Sequence, residues 1–224
     1  MKRKATKPKR KRNFNIILLL LTVIFSVVIM ESYFQQYEKS SPIVKSDPLV
    51  EVKKYTPLLH SELQKVHLEQ YTVVLAALMQ QESKGKGGDP MQASESVGLA
   101  PNTIKNPEQS VKQGVRHFQR IVTYGKQKGV DFPSIIQAYN MGIGYIDFVS
   151  QHGGKHSEEL AKKFSFMQVQ KKPTIYNCGG DKNNFRYPYC YGDFTYSTKV
   201  AKNIESINGS ITVNSGTPIS GGAF

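Results

Sequence analysis

Several catalytic signatures are absent from this chain of 224 residues. It has no H-E-x-x-H zinc motif, no P-loop and no G-x-S-x-G motif, which argues against the enzyme classes that use them. Gly142-Ile143-Gly144 follows a helical pattern, which argues against a dinucleotide site. Convincing runs of alternating apolar and polar residues are also lacking. With 39% hydrophobic residues the chain can still bury a core, so its composition does not fit a disordered or collagen-like protein.

Acidic residues are scarce, at 17 against 30 basic ones, and the net charge is +13. Eight of the basic residues lie within residues 1–12, which contain no acidic residue, so that only +5 belongs to the rest of the chain. This concentration predicts a basic cytoplasmic segment over residues 1–13 rather than a nucleic-acid-binding surface. A nucleic-acid binder stays a minor alternative, in which salt-dependent affinity would reside in residues 1–12.

One apolar run follows the basic segment. Residues 14–30 carry no ionisable side chain, and a helix of this length spans about 25 Å, the short end of what crosses a bilayer. We predict a transmembrane signal-anchor over residues 14–34. A cleaved signal peptide is the alternative, although no A-x-A type of cleavage site follows the run. The positive-inside rule then predicts a single-pass protein of the cell membrane whose following residues lie outside the cytoplasm, on the cell-wall side.

The remaining chain divides into a stalk, one domain and a tail. Residues 35–56 lack sustained periodicity and are predicted to be a stalk or linker, and residues 209–224 are predicted to be a flexible tail. Residues 57–208 are predicted to form a single all-α domain. Its helices are expected at Val66–Glu82, where the pattern is apolar nearly all round, and then after Asn106, over Pro133 to about Met141 with a resumption beyond Gly144, after Ser157 and after Asp193.

The chain has only two cysteines, Cys178 and Cys190, in a stretch rich in turn residues. Outside the cytoplasm such a pair most simply forms a disulfide, which contributes about 3 kcal/mol in the loop-entropy model. Two free thiols are the alternative. A zinc site would need more ligands, and the glycines between His152 and His156 argue against a helix that presents both to a metal. We therefore predict no metal and no cofactor.

Glu82 is the first candidate for chemistry, because it ends the predicted buried helix. Leu78, Leu75 and Tyr71 precede it on the same helical face. Burial and the negative end of the helix dipole both favour the protonated carboxylic acid, which is the form that a general acid needs at neutral pH. A solvated glutamate at a frayed helix end is the alternative when this residue is considered alone.

The residues around Glu82 strengthen the first interpretation. The glycines of Gly85–Gly88 allow the chain to turn sharply, so that Asp89–Gln92 and Ser94–Ser96 can fold back across the helix end. Farther along, Ala138–Gly142 places an aromatic side chain and an amide at a helix break, where side chains can face a cleft.

Together these residues resemble the lysozyme-like superfamily of goose-type lysozymes and soluble lytic transglycosylases. Its marks stand here, in matching order and spacing, as Glu82-Ser83, Met91-Gln92 and Ala138 to Gly142. The longer stretches Met79–Ser83, Asp89–Ser96 and Asn177–Asp193 are similar to the CwlT-like bacterial lysozyme branch, which includes the pneumococcal vaccine antigen A group. One departure is Pro90, because the commoner transglycosylase pattern has a glycine before the Met-Gln pair.

The resemblance covers roughly residues 57–208 and implies a lysozyme-like helical domain that acts as a peptidoglycan glycosidase. Glu82 would protonate the glycosidic oxygen of the β-1,4 link between N-acetylmuramic acid and N-acetylglucosamine. The residues expected to bind substrate or hold the acid are Ser83, Gln92, Tyr139 and Asn140.

Asp89 and Glu95 are the possible second carboxylates, and Asp89 ranks slightly first. An inverting hydrolase needs a base about 6.5 to 9.5 Å from the acid, and a covalent nucleophile lies at about 5 to 5.5 Å. Each of the two residues is equally compatible with a turn-forming or hydrogen-bonding role in the loop.

Two rival functions use the same fold. A lytic transglycosylase would need no second carboxylate and would release 1,6-anhydromuramoyl products, and a non-catalytic wall protein would bind peptidoglycan without cutting it. In every version the expected partners are peptidoglycan glycan strands and the cytoplasmic membrane, the latter through residues 14–34, and not nucleic acid.

Overall fold

The computed structural model describes residues 10–40 and 47–215. They belong to two compact units, one within residues 1–46 and one within residues 47–224. Helix α1, Arg10–Ser40, makes up the described part of the first unit. The predicted basic segment up to residue 9, residues 41–46 of the predicted stalk and residues 216–224 of the predicted tail lie outside the described residues.

Helix α1 covers the predicted signal-anchor over residues 14–34 and continues through residues 35–40, where the sequence predicts an irregular stalk. Side-chain surroundings in this helix are described for residues 21–36. Within the described part of the chain, no helix combines the length and the apolar character needed to cross a membrane. The transmembrane segment therefore stays a prediction.

The second unit is helical, as predicted, with no strand between residues 47 and 215. Short 3₁₀ turns occur at Glu69–Tyr71, Glu95–Val97 and Cys178–Gly180. The helices are α2 (Val50–Gln64), α3 (Thr72–Glu82), α4 (Pro107–Lys128), α5 (Phe132–Met141), α6 (Gly144–Ser150), α7 (Glu158–Lys171) and α8 (Tyr196–Ser215).

Helix α3 lies in the core, between α2 and α8. Leu75, Leu78 and Met79 are completely buried, and burial of each such side chain contributes roughly 2 kcal/mol. The prediction of a buried helix that ends at Glu82 is confirmed, but the helix starts at Thr72 rather than at Val66. The chain turns before it, because His67 adopts a φ of 57°, which ends the helical path.

The packed domain begins earlier than the predicted boundary at residue 57. Leu49 and Val52 are 5% and 1% exposed, so this part of the predicted stalk belongs to the core. Asp47 accepts the N–H of Leu49 at 2.9 Å and pairs with Lys53 at 2.6 Å, which fixes the start of α2. The sequence hides this start, because lysines and a glutamate alternate with the apolar positions of α2.

The predicted helix starts at Pro107 and Glu158 are confirmed. The side chain of Asn106 accepts the N–H of Gln109 at 3.1 Å, and that of Ser157 accepts the N–H of Leu160 at 3.1 Å. These contacts satisfy N–H groups that a helix leaves unpaired at its start.

The ends of α5 and α8 matter for the site. Helix α5 ends at Met141 because Gly142 has a φ of 78°, as the predicted helix break requires. Helix α8 buries Val200 and Ile204 and continues to Ser215, past Gly209, where the sequence predicts a flexible tail.

Candidate active site

Glu82 stands at the end of α3, directly after its fully buried turns. The residue keeps partial contact with solvent, yet desolvation by burial raises the pKa of its carboxyl group from the ordinary 4.5 to about 7. The negative charges of Glu95 and Asp89 act in the same direction. A large fraction of Glu82 is therefore protonated at neutral pH.

Tyr196, the first residue of α8, donates a hydrogen bond from its hydroxyl to Oε1 of Glu82. Burial and the neighbouring Glu82 raise the pKa of Tyr196 well above its ordinary value, so that it stays a donor. The bond lowers the pKa of Glu82 and thus opposes the effect of burial. No local signal in the sequence indicates this contact, because the two residues are 114 positions apart and meet through the packing of α3 on α8.

The Asp89 carboxylate is the centre of the loop that follows α3. It is 2% exposed and accepts the N–H groups of Ala93 and Ser94 at 2.9 and 3.1 Å. The hydroxyls of Ser94 and Ser110 donate to it at 2.5 and 2.6 Å. Burial alone would raise the pKa of Asp89, but these hydrogen bonds outweigh burial and lower it. Both carboxylate oxygens are thus engaged in holding the loop.

Ser83 also acts within the loop. Its hydroxyl donates to the carbonyl oxygen of Pro90 at 2.7 Å and accepts the N–H of Gly85 at 3.0 Å. The predicted substrate-binding role of Ser83 therefore stays a prediction, while its contacts fix the path of the chain from Glu82 to Met91.

The Met91-Gln92 pair closes the loop against α4. The Met91 side chain is fully buried, and its N–H donates to the Ser110 hydroxyl at 3.0 Å. Gln92, with a φ of 47°, directs its amide nitrogen to the Asp89 carbonyl oxygen at 3.0 Å and to Asn102 at 2.8 Å. The amide donors of Gln92 are committed to the loop, whereas no hydrogen bond of its amide oxygen is described.

Tyr139 and Asn140 join this loop to a later part of the chain. The Tyr139 hydroxyl donates to the Met91 carbonyl oxygen at 3.3 Å. Asn140 is exposed, and its amide oxygen accepts the N–H of Asp193 at 2.6 Å. The Ala138–Gly142 motif thus connects the Met91-Gln92 loop with the segment that leads into α8 and Tyr196.

Glu95 differs sharply from Asp89. It begins the 3₁₀ turn Glu95–Val97 and is exposed, and its carboxylate has no described hydrogen bond. Its charge raises the pKa of Glu82, which indicates that the two carboxyl groups interact. The sequence-based ranking of Asp89 before Glu95 does not match these surroundings, because in the structure Asp89 is buried and saturated with donors.

His117 is a neighbour of the site that sequence reasoning missed. Its ring packs edge-on against Tyr139 with centroids 4.8 Å apart. Desolvation by burial lowers its pKa to about 4, so the ring is neutral at neutral pH. Arg120, on the next turn of α4, donates to the Ser96 carbonyl oxygen at 3.1 Å and ties the Glu95–Val97 turn to the helix. The sequence feature that could have indicated these neighbours is the spacing of His117 and Arg120, three residues apart in α4.

The predicted disulfide is confirmed, since Cys178 and Cys190 are bonded. Directly after it, the Tyr191 hydroxyl donates to the Met141 carbonyl oxygen at 2.9 Å. Gly192 follows with a φ of 64°, and a Cβ there would lie 2.8 Å from Oδ1 of Asn140. The disulfide loop is therefore fitted closely to the end of α5, next to the exposed amide of the motif.

His152 and His156 have separate surroundings. Nδ1 of His152 lies 2.7 Å from the Phe148 carbonyl oxygen, and Nδ1 of His156 lies 2.8 Å from the Tyr145 hydroxyl. Among the residues described, no group of three or more histidine, cysteine or acidic side chains is arranged to hold a metal ion.

The assembled site is a carboxyl group that is about half protonated at neutral pH and is held by a buried hydroxyl, with an exposed carboxylate on the neighbouring loop. Such a pair can deliver a proton to a bound oxygen and stabilise positive charge that develops beside it. Glu82, Tyr139 and Asp89 interact electrostatically, and Asn140 joins them through Asp193 and the start of α8.

Comparisons with known proteins identify a matching family and a similar fold. A family model described as Lysozyme-like matches residues 49–204. A crystal structure from Staphylococcus aureus, described as similar to a lipoprotein of the NLP/P60 family, superposes with a TM-score of 0.59 at 36% sequence identity. That match covers 69% of this chain and 52% of the other.

Similar sequences occur among curated proteins of Bacillus and Streptococcus. The uncharacterized membrane protein YocA of Bacillus subtilis is 48% identical over 212 residues, which cover 92% of this chain and 94% of YocA. The bifunctional muramidase/DL-endopeptidase CwlT of B. subtilis is 46% identical over 98 residues, 44% of this chain and 29% of CwlT. Pneumococcal vaccine antigen A of Streptococcus pneumoniae is 31% identical over 164 residues, 69% of this chain and 79% of that protein.

Proposed function

Since the chain belongs to the lysozyme-like family, in its CwlT-like and pneumococcal vaccine antigen A-like branch, we propose that it is a peptidoglycan glycosidase. Its reaction is the hydrolysis of the β-1,4 bond between N-acetylmuramic acid and N-acetylglucosamine, with Glu82 as the general acid. The observation that carries the proposal is the Glu82 carboxyl group beside the three motifs, whose pKa of about 7 keeps about half of it protonated at neutral pH. CwlT is described as a muramidase, and this description supports peptidoglycan glycan as the substrate class.

In the proposed reaction, Glu82 gives its proton to the glycosidic oxygen as the bond from the anomeric carbon to that oxygen breaks. The Tyr196 hydroxyl occupies Oε1 of Glu82, which leaves Oε2 to carry the transferred proton. Positive charge that develops on the sugar is stabilised by a nearby carboxylate, and water completes hydrolysis. The sugar becomes a reducing end, and Glu82 recovers its proton from the attacking water or from solvent.

Glu95 suits the role of that second carboxylate better than Asp89. An exposed carboxylate can face a sugar or a water molecule, whereas both oxygens of Asp89 already accept buried hydrogen bonds. We assign Asp89 to holding the loop. Gln92 and Asn140 complete the proposed sugar-binding surface. Tyr139 is buried and holds the loop through its bond to Met91, and Ser83 holds the chain between Glu82 and the loop.

The principal test compares the wild-type chain with Glu82→Gln on purified peptidoglycan. The variant keeps the size of the side chain and loses the transferable proton, so the rate of glycan cleavage is expected to fall by about 10²–10⁴-fold. A variant that cuts at the wild-type rate refutes the role of Glu82. Mass spectrometry of wild-type products separates hydrolysis, which adds a water, from transglycosylation to 1,6-anhydromuramoyl ends. A wild-type chain that binds peptidoglycan without shortening it identifies a wall-binding protein.

A second comparison separates the two acids. Glu95→Gln is expected to lower kcat while the midpoint of thermal unfolding stays unchanged, because its side chain is exposed. Asp89→Asn is expected to lower both, since it replaces an acceptor of four buried hydrogen bonds with a group that also donates. If Asp89→Asn folds as stably as wild type and only its kcat falls, Asp89 and not Glu95 takes part in the chemistry.

We further propose that residues 14–34 attach the chain to the cell membrane in a single pass, with the catalytic domain on the cell-wall side. The basic residues before the apolar run and the description of YocA as a membrane protein support this placement.

A further inference from the structure

The loop closed by the disulfide between Cys178 and Cys190 carries an exposed aromatic ring that the proposed chemistry does not use. Phe185 is 62% exposed, although burial would be favourable for such a side chain. It is held in place by Phe194, whose ring centroid is 6.1 Å away and which is itself 8% exposed. We call Phe185 with its support Phe194 the aromatic platform.

The surroundings of the aromatic platform are basic. The Lys199 ammonium lies 4.7 Å from the centroid of Phe185, and the Lys162 ammonium lies 4.9 Å from that of Phe194. Lys199 pairs with Asp193 at 2.5 Å, whereas neither Lys162 nor Arg186 forms a salt bridge with a carboxylate in residues 47–210. The guanidinium of Arg186 donates to the Gly192 carbonyl oxygen at 3.2 Å. An excess of positive charge therefore borders the platform.

The platform is continuous with the candidate active site through five consecutive residues. Within Gly192–Tyr196, the N–H of Asp193 donates to Asn140 and the hydroxyl of Tyr196 donates to Glu82. Phe194 lies between these two residues in the chain and supports Phe185. Asp193 also pairs with Lys199, whose ammonium lies over Phe185, so a series of contacts links Asn140 to the aromatic platform.

We propose that Phe185 stacks against a sugar ring of the same glycan strand, beyond the bond that is cleaved, and extends the binding surface of the site. This inference rests on the proposed function. The ligand is a β-1,4-linked amino-sugar strand that bears stem peptides. An aromatic face matches the apolar C–H face of a pyranose ring, and Lys162 and Arg186 attract the carboxylates of the stem peptides.

The test uses the full chain purified in detergent and glycan of two lengths, peptidoglycan strands and a tetrasaccharide fragment. For Phe185→Ala the ratio of kcat/KM on long strands to kcat/KM on the tetrasaccharide is expected to fall roughly five- to tenfold, through KM. Ile175→Ala serves as the matched control. It removes an apolar side chain that is 65% exposed in the same segment between α7 and α8, and it is expected to leave the ratio unchanged.

A binding measurement separates failure of the platform from failure of the proposed function. In a Glu82→Gln background, Phe185→Ala is expected to weaken sedimentation with peptidoglycan stripped of teichoic acid, whether or not the wild-type chain cuts. Lys162→Gln is expected to weaken binding to strands that bear stem peptides more than to strands from which an amidase has removed them. The inference is overturned if Phe185→Ala binds and cuts long strands as wild type does, or if its defect disappears once teichoic acid is removed.

Discussion

About half of the Glu82 carboxyl groups keep their proton at neutral pH, because burial and two neighbouring negative charges outweigh one hydrogen bond that favours the ionised form. The raised pKa of Glu82 also affects the free energy of unfolding. Between pH 4.5 and about 7 the folded chain holds a proton on Glu82 that the unfolded chain releases, so stability decreases as the pH rises through this range. The loss approaches about 3 kcal/mol above pH 7, from 1.36 kcal/mol for each pKa unit.

The Glu82→Gln variant has no such titration. We expect it to be more stable than wild type by up to about 3 kcal/mol at about pH 8 and to differ little at about pH 3, where Glu82 is protonated in both the folded and the unfolded state. Urea unfolding of both proteins at the two pH values measures the difference. An equal difference at both values would show that the carboxyl group is not desolvated in the folded state.

Tyr196 also changes the pKa of Glu82. Removing its hydroxyl in Tyr196→Phe removes the hydrogen bond that lowers the pKa of Glu82, so this pKa rises and the alkaline limb of the kcat/KM profile moves to higher pH. We also expect the maximal rate to fall, because Oε1 of Glu82 is no longer held.

Tyr124→Phe is the matched control for Tyr196→Phe. The Tyr124 hydroxyl donates to Asp147 at 2.7 Å, and neither residue is among the groups that shift the pKa of Glu82, so its loss should leave the alkaline limb in place. Equal pH profiles for wild type and Tyr196→Phe would mean that Tyr196 only fills space.

At the scale of elements, the close approach of α4 to the Met91-Gln92 loop depends on Gly114. A Cβ on Gly114 would lie 2.8 Å from Cβ and Cγ of Met91. Alanine is ordinarily better than glycine in a helix by about 1 kcal/mol, but here the clash displaces Met91, whose carbonyl oxygen accepts the Tyr139 hydroxyl. We expect Gly114→Ala to lower both the unfolding midpoint and the rate of cleavage.

Gly209→Ala provides the comparison, because a Cβ added at that position of α8 meets no atom within 4 Å. It is expected to keep full activity and to gain up to about 1 kcal/mol of stability. A Gly114→Ala protein that is stabilised and fully active would remove the steric argument.

Helix periodicity and capping residues were sufficient to predict most elements, because their signals are local. Asn106 and Ser157 mark two helix starts within a few residues, and the break at Gly142 needs only a glycine. The start of α3 was predicted too early, since the left-handed turn at His67 is closed by a local bond from the N–H of Leu68 to the carbonyl oxygen of Leu63 and is made by a histidine, not by the glycine that ordinarily marks a helix end. The start of α2 was missed because lysines lie between its buried positions.

At the scale of the whole molecule, the separation into two units predicts that catalysis and membrane attachment are separable. A chain that lacks residues 1–46 is expected to cleave soluble peptidoglycan fragments at the wild-type rate, because the packed domain begins at Asp47. The full chain is expected to sediment with membranes, and the truncated chain is expected to stay in the supernatant. Equal sedimentation of both would contradict the proposed attachment through residues 14–34.

The composition of the site was predictable from motifs, but the roles of its members were not. Glu82, Met91, Tyr139 and Asn140 carry recognisable spacing in the sequence. One of the hydrogen bonds to the Asp89 carboxylate comes from Ser110, which lies 21 residues farther along the chain. The hydrogen bond to Glu82 comes from Tyr196 at the start of α8. Both are products of the assembled fold, and no single segment contains them.

The hydrogen bond between Asp193 and Asn140 determines which atoms of Asn140 a ligand can contact. Because a backbone N–H takes up its amide oxygen, the side chain has a fixed orientation, and the –NH₂ end is the part left for a guest molecule. That end can only give hydrogen bonds. A sugar that meets it must offer a lone pair, as the carbonyl oxygen of an acetamido group does, and a positively charged substituent at that point would meet only donors.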